Sequence, residues 1–111
     1  MIKTIMLAYR KPGMTPEDFS RYWKDVHAPL AARLIPASMK KYVQNHFIRL
    51  PGHENEGDGI VEMWWDDLEA HEKYTAWIRT EAARELREDA GKFCDMSRSK
   101  LWLVEEHIIK E

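Results

Sequence analysis

The chain has 111 residues, a length that fits one domain with a single hydrophobic core and requires neither disulfides nor metals for stability. Its 17 basic and 19 acidic residues leave a net charge of −2. Such a balance does not point to nucleic acid or an anionic membrane as a partner. One cysteine excludes an internal disulfide and is typical of a reducing compartment. We therefore expect a single domain, residues 1–111, that is cytoplasmic.

The first residues predict a β-strand. Ile2 to Tyr9 are rich in β-forming residues and mostly apolar on both faces, as in a strand that is covered on both sides. The stretch lacks the longer apolar core and the cleavage site of a signal peptide, and no segment of the chain approaches membrane-spanning length.

The segment 15–30 carries the clearest helix signal. Thr15 is placed to cap the first turn, and Pro16 suits the first helical position. At helical spacing, one stripe is apolar and consists of Phe19, Tyr22, Trp23, Val26 and Leu30. The pattern predicts an amphipathic helix with one face against a core.

His27 lies at the edge of this stripe, where the helix meets a proline. Pro29 cannot donate to the carbonyl of Asp25 and disfavours an α conformation at Ala28, so we expect the helix to kink or end there. His27 then falls in a last turn. A short second helix is predicted from Pro29 to the residue before Pro36.

The remaining elements follow from alternation and turn signals. Residues 39–50 predict a strand with Tyr42, Gln44 and His46 on one face, and 51–59 predict a polar loop. Residues 60–65 predict a third strand. Asp66 resembles the cap of a helical region that breaks near Thr80, and residues 100–109 predict a last strand.

The order β-α-β-β-α-β predicts an α+β, ferredoxin-like domain with a four-stranded antiparallel sheet and helices on one face. The strands have apolar residues on both sides, and the chain contains five tryptophans. An uncovered sheet face of this kind is too apolar for a monomer. We therefore expect a symmetric homodimer in which two sheets pack together.

Three segments together, FSRYWKDVHAPL, YVQNH and IVEMWW, resemble the EthD-type proteins of the dimeric α+β barrel superfamily. Tyr22, Trp23, His27 and Pro29 match the helix motif, and the strand motif is matched by Tyr42, Gln44 and His46. The resemblance implies a small dimeric protein that uses no cofactor. It indicates the fold more closely than the reaction, because related folds isomerise, cyclise or oxygenate different small molecules.

These observations predict a pocket between the first helix and the sheet that binds a small aromatic or cyclic molecule. His27 is the candidate general acid or base, and the candidate substrate-binding residues are Tyr22, Trp23, Tyr42, Gln44 and His46. A structural interpretation is that the His27 ring caps free carbonyls beside Pro29. If the strand register is reversed, the Tyr42 face meets the partner subunit instead.

Other chemistries have weaker support in the sequence. The five histidines show no metal-ligand spacing, so we expect no metal. Cys94 is predicted to be a buried residue with little thiolate character beside Asp95, and Glu62 is predicted to form a structural ion pair. We therefore expect a cofactor-independent enzyme of small-molecule catabolism or polyketide-like metabolism that isomerises, cyclises, dehydrates or oxygenates its substrate. The alternatives are a non-catalytic protein that binds a hydrophobic ligand or supports an oxidase system, and a haem-handling protein with His27 or His46 as axial ligand.

Overall fold

A computed structural model describes all residues, 1–111. It contains one antiparallel sheet of four strands in the order β2-β3-β1-β4, namely β1 (Ile2–Ala8), β2 (Met39–His46), β3 (Gly59–Trp65) and β4 (Lys100–Glu105). Four α-helices connect them: α1 (Pro16–Tyr22), α2 (Ala28–Leu34), α3 (Leu68–Trp77) and α4 (Arg84–Phe93). The predicted ferredoxin-like α+β fold is confirmed.

The second and fourth strands are shorter than predicted because their partners end first. β2 pairs with β3 up to His46 opposite Gly59, where β3 begins. Likewise, the pairing of β4 with β1 stops at Glu105, opposite Ile2. Residues 47–50 and 106–109 therefore have no neighbouring strand in this sheet to bond with, and the predicted ends at 50 and 109 are wrong.

The first helix begins as predicted but does not end at Ala28. The Thr15 hydroxyl accepts a hydrogen bond from the backbone N–H of Asp18 at 3.1 Å. The helix then widens into a π-helical turn, Trp23–His27, and continues directly into α2. In this turn the N–H of Ala28 bonds to the carbonyl of Trp23, five residues back. The wider turn carries the chain past Pro29. Of the two predicted outcomes, a kink or an end, the end does not occur, and the predicted second helix is confirmed.

The second helical region is divided as predicted. A short 3₁₀ turn, Glu81–Ala83, separates α3 from α4 and follows Thr80. The cap of α3, however, is Asp67, whose Oδ1 accepts from the N–H of Ala70 at 2.9 Å. Asp66 instead faces Lys40 across 3.5 Å, so the prediction of Asp66 as the cap is wrong by one residue.

The two faces of the sheet differ. Thr4 and Met6 of β1 point toward the helices, where the core forms around Phe19, Trp23, Met63, Trp65 and Phe93. Lys3, Ile5 and Leu7 alternate onto the opposite, uncovered face. There the ammonium of Lys3 pairs with Glu62 at 2.7 Å, which confirms the predicted ion pair. No helix is both long and apolar enough to cross a membrane.

Candidate active site

A cavity of about 530 Å³ lies between the sheet and the helices. Seventeen of its 22 lining residues are hydrophobic, so it suits a ligand with a largely apolar body. Helix α3 forms part of the cavity wall. No residue of α3 is fully buried, although His71, Tyr74 and Thr75 of this helix, and Ile78 just after it, line the space.

His27 lines this cavity from the end of the π-helical turn. Its side chain is buried, with 8% of its surface exposed. Nδ1 lies 2.8 Å from Oδ2 of Asp89 on α4. No protein group hydrogen-bonds Nε2, which leaves this nitrogen for a ligand. The ring binds a carboxylate and the helix continues past it, so the interpretation of His27 as a cap of free helix carbonyls is wrong.

Asp89 is the residue that organises this site. It is 5% exposed, and its second oxygen, Oδ1, accepts a hydrogen bond of 2.5 Å from the Tyr22 hydroxyl. Burial, together with the bond to the Asp89 carboxylate, raises the pKa of Tyr22 to about 12. Tyr22 therefore remains a hydrogen-bond donor at neutral pH. Both oxygens of a buried carboxylate are thus used to fix its orientation toward the imidazole.

The sequence interpretation did not single out Asp89, although a signal was present. Leu86, Asp89 and Phe93 all lie on the buried face of α4, and the carboxylate interrupts an apolar stripe. A buried acidic side chain needs a partner, because an unpaired charge in an apolar core is costly. In this fold the partners come from α1 and the π-helical turn, and the sequence alone does not bring these elements together.

Trp23 and Tyr42 line the same cavity as His27. The Trp23 side chain is fully buried at 2% exposure and contacts Phe19, with ring centroids 5.5 Å apart. Tyr42 projects from β2 on the side of the helices, and burial raises the pKa of its phenol. Of the six predicted site residues, three therefore share the cavity. Tyr22 lies outside it and bonds to Asp89, which in turn holds His27.

Gln44 and His46 lie outside the cavity, in a chain of hydrogen bonds between β2 and α1. The Gln44 amide nitrogen donates to the Trp23 carbonyl at 3.0 Å, so its oxygen faces Nε2 of His46 at 2.8 Å. Nδ1 of His46 is bonded to the Ser20 hydroxyl. Burial and the charge of Lys24 lower the pKa of His46, consistent with a neutral ring that donates at one nitrogen and accepts at the other.

These contacts establish which face of β2 meets the first helix, and they favour a structural role for His46. Both of its ring nitrogens are already bonded to protein groups. The ring is therefore not available as an axial haem ligand in this conformation. Gln44 likewise uses its amide to hold the widened turn, since the Trp23 carbonyl accepts both this bond and the N–H of Ala28.

Two further groups border the cavity without entering this network. Cys94 is 8% exposed, and burial, with a contribution from the charge of Asp58, raises the pKa of its thiol to about 12. It is a buried, poorly nucleophilic residue, as predicted. The Tyr74 phenol is the other group, and burial raises its pKa to about 12. No cluster of three or more histidine, cysteine or acidic side chains has the geometry to hold a metal ion.

Comparison with known proteins places this geometry in a family. Residues 11–97 match the family model described as the EthD domain. The crystal structure of an EthD family protein from Bacillus halodurans has a TM-score of 0.69 and 25% sequence identity, covering 96% of this chain and 100% of that one. A dimeric protein with a ferredoxin-like fold from Bacteroides fragilis has a TM-score of 0.65 and 12% identity, covering 95% of each chain.

Two similar proteins carry functional names. SnoaB, a cofactor-independent oxygenase from Streptomyces nogalater, has a TM-score of 0.62 and 12% identity, covering 99% of this chain and 97% of that one, and at this identity it shows a shared fold. The dehydratase ustZ of Ustilaginoidea virens is 48% identical over 42 residues, which is 38% of this chain and 27% of that protein. The aligned part thus spans about a quarter of that relative. The match over residues 11–97 shows that this chain belongs to the EthD family.

Proposed function

We propose that this protein is a cofactor-independent enzyme that moves a proton on a small aromatic or cyclic substrate, with His27 as the general base and acid. One observation carries the proposal: an imidazole lines an apolar cavity while its far nitrogen is held by a buried carboxylate. Reactions of this class are isomerisation, cyclisation and dehydration. Each begins when a base removes a proton from carbon or oxygen.

The contacts of His27 suit this role. Asp89 accepts from the Nδ1–H, which fixes the tautomer with its lone pair on Nε2. Nε2 has no protein partner, so it can take a proton from a substrate in the cavity. The carboxylate then stabilises the positive charge that forms on the ring. Tyr22 in turn holds the carboxylate, and this makes Asp89 and Tyr22 positioning residues.

Dehydration is the reaction we favour within this class, because the similarity to a dehydratase, although confined to 42 residues, is at 48% identity. In such a step His27 takes a proton from a carbon next to a carbonyl, and the electron pair forms an enolate. The carbon–oxygen bond of a hydroxyl on the following carbon then breaks. The departing hydroxide takes the proton from His27 and leaves as water, so the ring returns to its starting state.

The first experiment measures proton removal without requiring the natural substrate. Cyclic ketones such as 2-tetralone exchange the protons next to the carbonyl with D₂O, and NMR follows this exchange. We expect the wild type to accelerate the exchange above the buffer rate. His27→Gln should slow it by about 10²-fold or more, as for loss of a general base. Exchange that is equal in the two proteins would refute the role of His27.

A second candidate is a ligand-binding or accessory protein without chemistry of its own, and the predominantly apolar lining of the cavity favours it. It predicts that tetralin and 2-tetralone quench the fluorescence of Trp23 and Trp65, which line the cavity, while no proton exchange occurs. Oxygenation is distinguished by measuring the uptake of O₂. A product that gains oxygen, with matching consumption of O₂, would refute dehydration and support oxygenation.

We further propose that the working form is a homodimer joined through the uncovered sheet face. Trp102 on β4 and Ile5 on β1 are paired there, and the Trp102 side chain is 48% exposed in the single chain. A second copy would cover this apolar surface. We expect light scattering to give a dimer for the wild type, and Trp102→Glu to shift the equilibrium toward monomer. A monomeric wild type at micromolar concentration would refute the dimer.

A further inference from the structure

Helix α3 contributes a second polar group of side chains to the cavity. His71 and Tyr74 lie three residues apart, on the face of the helix that borders the cavity. The ring of His71 stands edge-on to Trp65, with centroids 5.3 Å apart, and Tyr74 contacts the same indole at 5.0 Å. The two side chains therefore share one aromatic support.

Neither side chain uses its polar atoms within the protein. The hydroxyl of Tyr74 and the ring nitrogens of His71 make no hydrogen bond to any protein group, whereas buried Thr4 and Trp65 bond to each other at 2.7 Å. No fully buried side-chain nitrogen or oxygen is unsatisfied, so the free polar atoms of Tyr74 and His71 keep some accessible surface. Polar donors that border an apolar cavity in this way are available to a ligand.

We propose that Tyr74 and His71 form an oxygen-binding site that receives the carbonyl of the substrate, which makes the substrate class an enolisable cyclic ketone. This inference rests on the proposed function. It adds the group that His27 alone does not supply: a hydrogen-bond donor for the oxygen on which negative charge develops when the neighbouring carbon loses its proton.

The chemistry divides between the two walls of the cavity. His27 Nε2 takes the proton as the carbon–hydrogen bond breaks, and the electron pair moves into the carbonyl to form an enolate. The Tyr74 hydroxyl donates to this oxygen, with His71 as a second donor. Donors that are already in place cost no reorganisation when the charge appears, and loss of one costs about 10²-fold or more in known oxyanion sites. Burial raises the pKa of Tyr74 to about 12, so the phenol keeps its proton at neutral pH.

The test compares two probes that differ by one oxygen, 2-tetralone and the hydrocarbon tetralin. We expect Tyr74→Phe to weaken binding of 2-tetralone by about tenfold and to leave tetralin binding within about twofold. His71→Phe keeps an aromatic ring against Trp65. It should weaken the binding of 2-tetralone and leave the binding of tetralin nearly unchanged. Tyr9→Phe is the matched control, because Tyr9 does not line this cavity.

Proton exchange of 2-tetralone in D₂O provides the second measurement. We expect Tyr74→Phe to slow exchange by about tenfold or more. If Tyr74→Phe and His71→Phe change neither ketone binding nor exchange, while His27→Gln abolishes exchange, the oxygen-binding site is refuted and the proposed function stands. If the wild type binds neither probe, or binds them without exchange, the proposed function fails and this inference fails with it. Equal weakening of both probes would show that Tyr74 only shapes the cavity, and it would also refute the site.

Discussion

His27 and Asp89 are 62 positions apart in the chain, yet Nδ1 of the imidazole lies 2.8 Å from Oδ2 of the carboxylate. The contact joins the end of the π-helical turn to the middle of α4. Both side chains are at least nine-tenths buried. A pair of this kind stabilises little by itself, because desolvation offsets much of its attraction. Its use is to orient a ring whose other nitrogen faces no protein partner.

Asp89→Asn tests this relationship with little change in shape. We expect the rate of 2-tetralone proton exchange to fall by about 10²-fold or more, because the amide no longer stabilises the charged ring. Tetralin binding should stay within about twofold, since the cavity keeps its volume. Glu88→Gln is the matched control on the exposed side of the same helix, and we expect no change in exchange. A rate within threefold of the wild type for Asp89→Asn would contradict the positioning role.

The sequence predicted the fold because its local signals agreed with the tertiary arrangement. The four strands, the Thr15 cap and the break at Thr80 appear in the predicted places, except that β2 and β4 end four residues early. The failure at Ala28 has a physical origin: a proline ends an α-helix, but a π-helical turn shifts the bonding by one residue and lets the chain continue. No residue pattern in the segment distinguishes these two outcomes.

The candidate site was predictable only in part. Trp23, His27 and Tyr42 share the cavity because helix and strand periodicity place them on inward faces. His46 is on the same face of β2, yet it lies beyond the cavity, under Ser20. Periodicity predicts which face of the strand a residue lies on. It does not predict which part of the packed helix that residue meets. Asp89 had a local signal, a carboxylate within the apolar stripe of α4, but its partners Tyr22 and His27 depended on a tertiary contact that no local pattern predicts.

Alkaline pH should destabilise the protein through three groups, the buried Cys94 and the half-buried Tyr22 and Tyr74. The pKa values of Tyr22 and Tyr74 are raised from 10.0 to about 12, and that of Cys94 from 9.0 to about 12. For each group the fold favours the neutral form. This contribution to stability is therefore fully present below the unfolded pKa and is lost as the pH rises toward the folded pKa.

Urea unfolding at pH 8 and pH 11 measures this effect. We expect a lower free energy of unfolding for the wild type at pH 11. Tyr22→Phe and Cys94→Ala should each be less stable than the wild type at pH 8 but should lose less on going to pH 11, because one of the titrating groups is gone. A loss between the two pH values that is identical in the wild type and both variants would contradict the assignment of these groups.

Among the acidic residues outside the site, Asp58 should contribute most to stability at neutral pH. It is 7% exposed and receives the backbone N–H of Arg10 at 2.8 Å and the guanidinium groups of Arg10 and Arg49 at 2.6 and 2.7 Å. Burial alone raises the pKa of this carboxyl, but these donors outweigh it and the pKa is lowered. Its contribution to stability is therefore present at neutral pH and lost as the pH falls through the folded pKa.

Asp58→Asn should lower the free energy of unfolding by about 1–3 kcal/mol at pH 7, since the partly exposed arginines reduce the effect. The difference from the wild type should shrink in acid. Asp18→Asn is the control, because its ion pair with Arg21 spans 3.3 Å between side chains that are both more than half exposed; we expect a change within about 0.5 kcal/mol. Equal effects of the two substitutions in urea unfolding would contradict the argument.

Alanine substitutions at two glycines should have opposite effects on stability, because Gly59 is closely packed and Gly91 is not. A Cβ on Gly59 would lie 2.5 Å from Cζ3 of Trp23 and 3.0 Å from the carbonyl of Asn45, whereas a Cβ on Gly91 meets nothing within 4 Å. The indole is fully buried and forms a wall of the cavity, so Gly59→Ala should destabilise by about 1–3 kcal/mol and weaken tetralin binding as the ring is displaced. Gly91→Ala, inside α4, should stabilise by about 0.5–1 kcal/mol with ligand binding unchanged. Thermal unfolding with and without tetralin measures both quantities. Unchanged stability and tetralin binding in Gly59→Ala would contradict the expected displacement of the Trp23 ring.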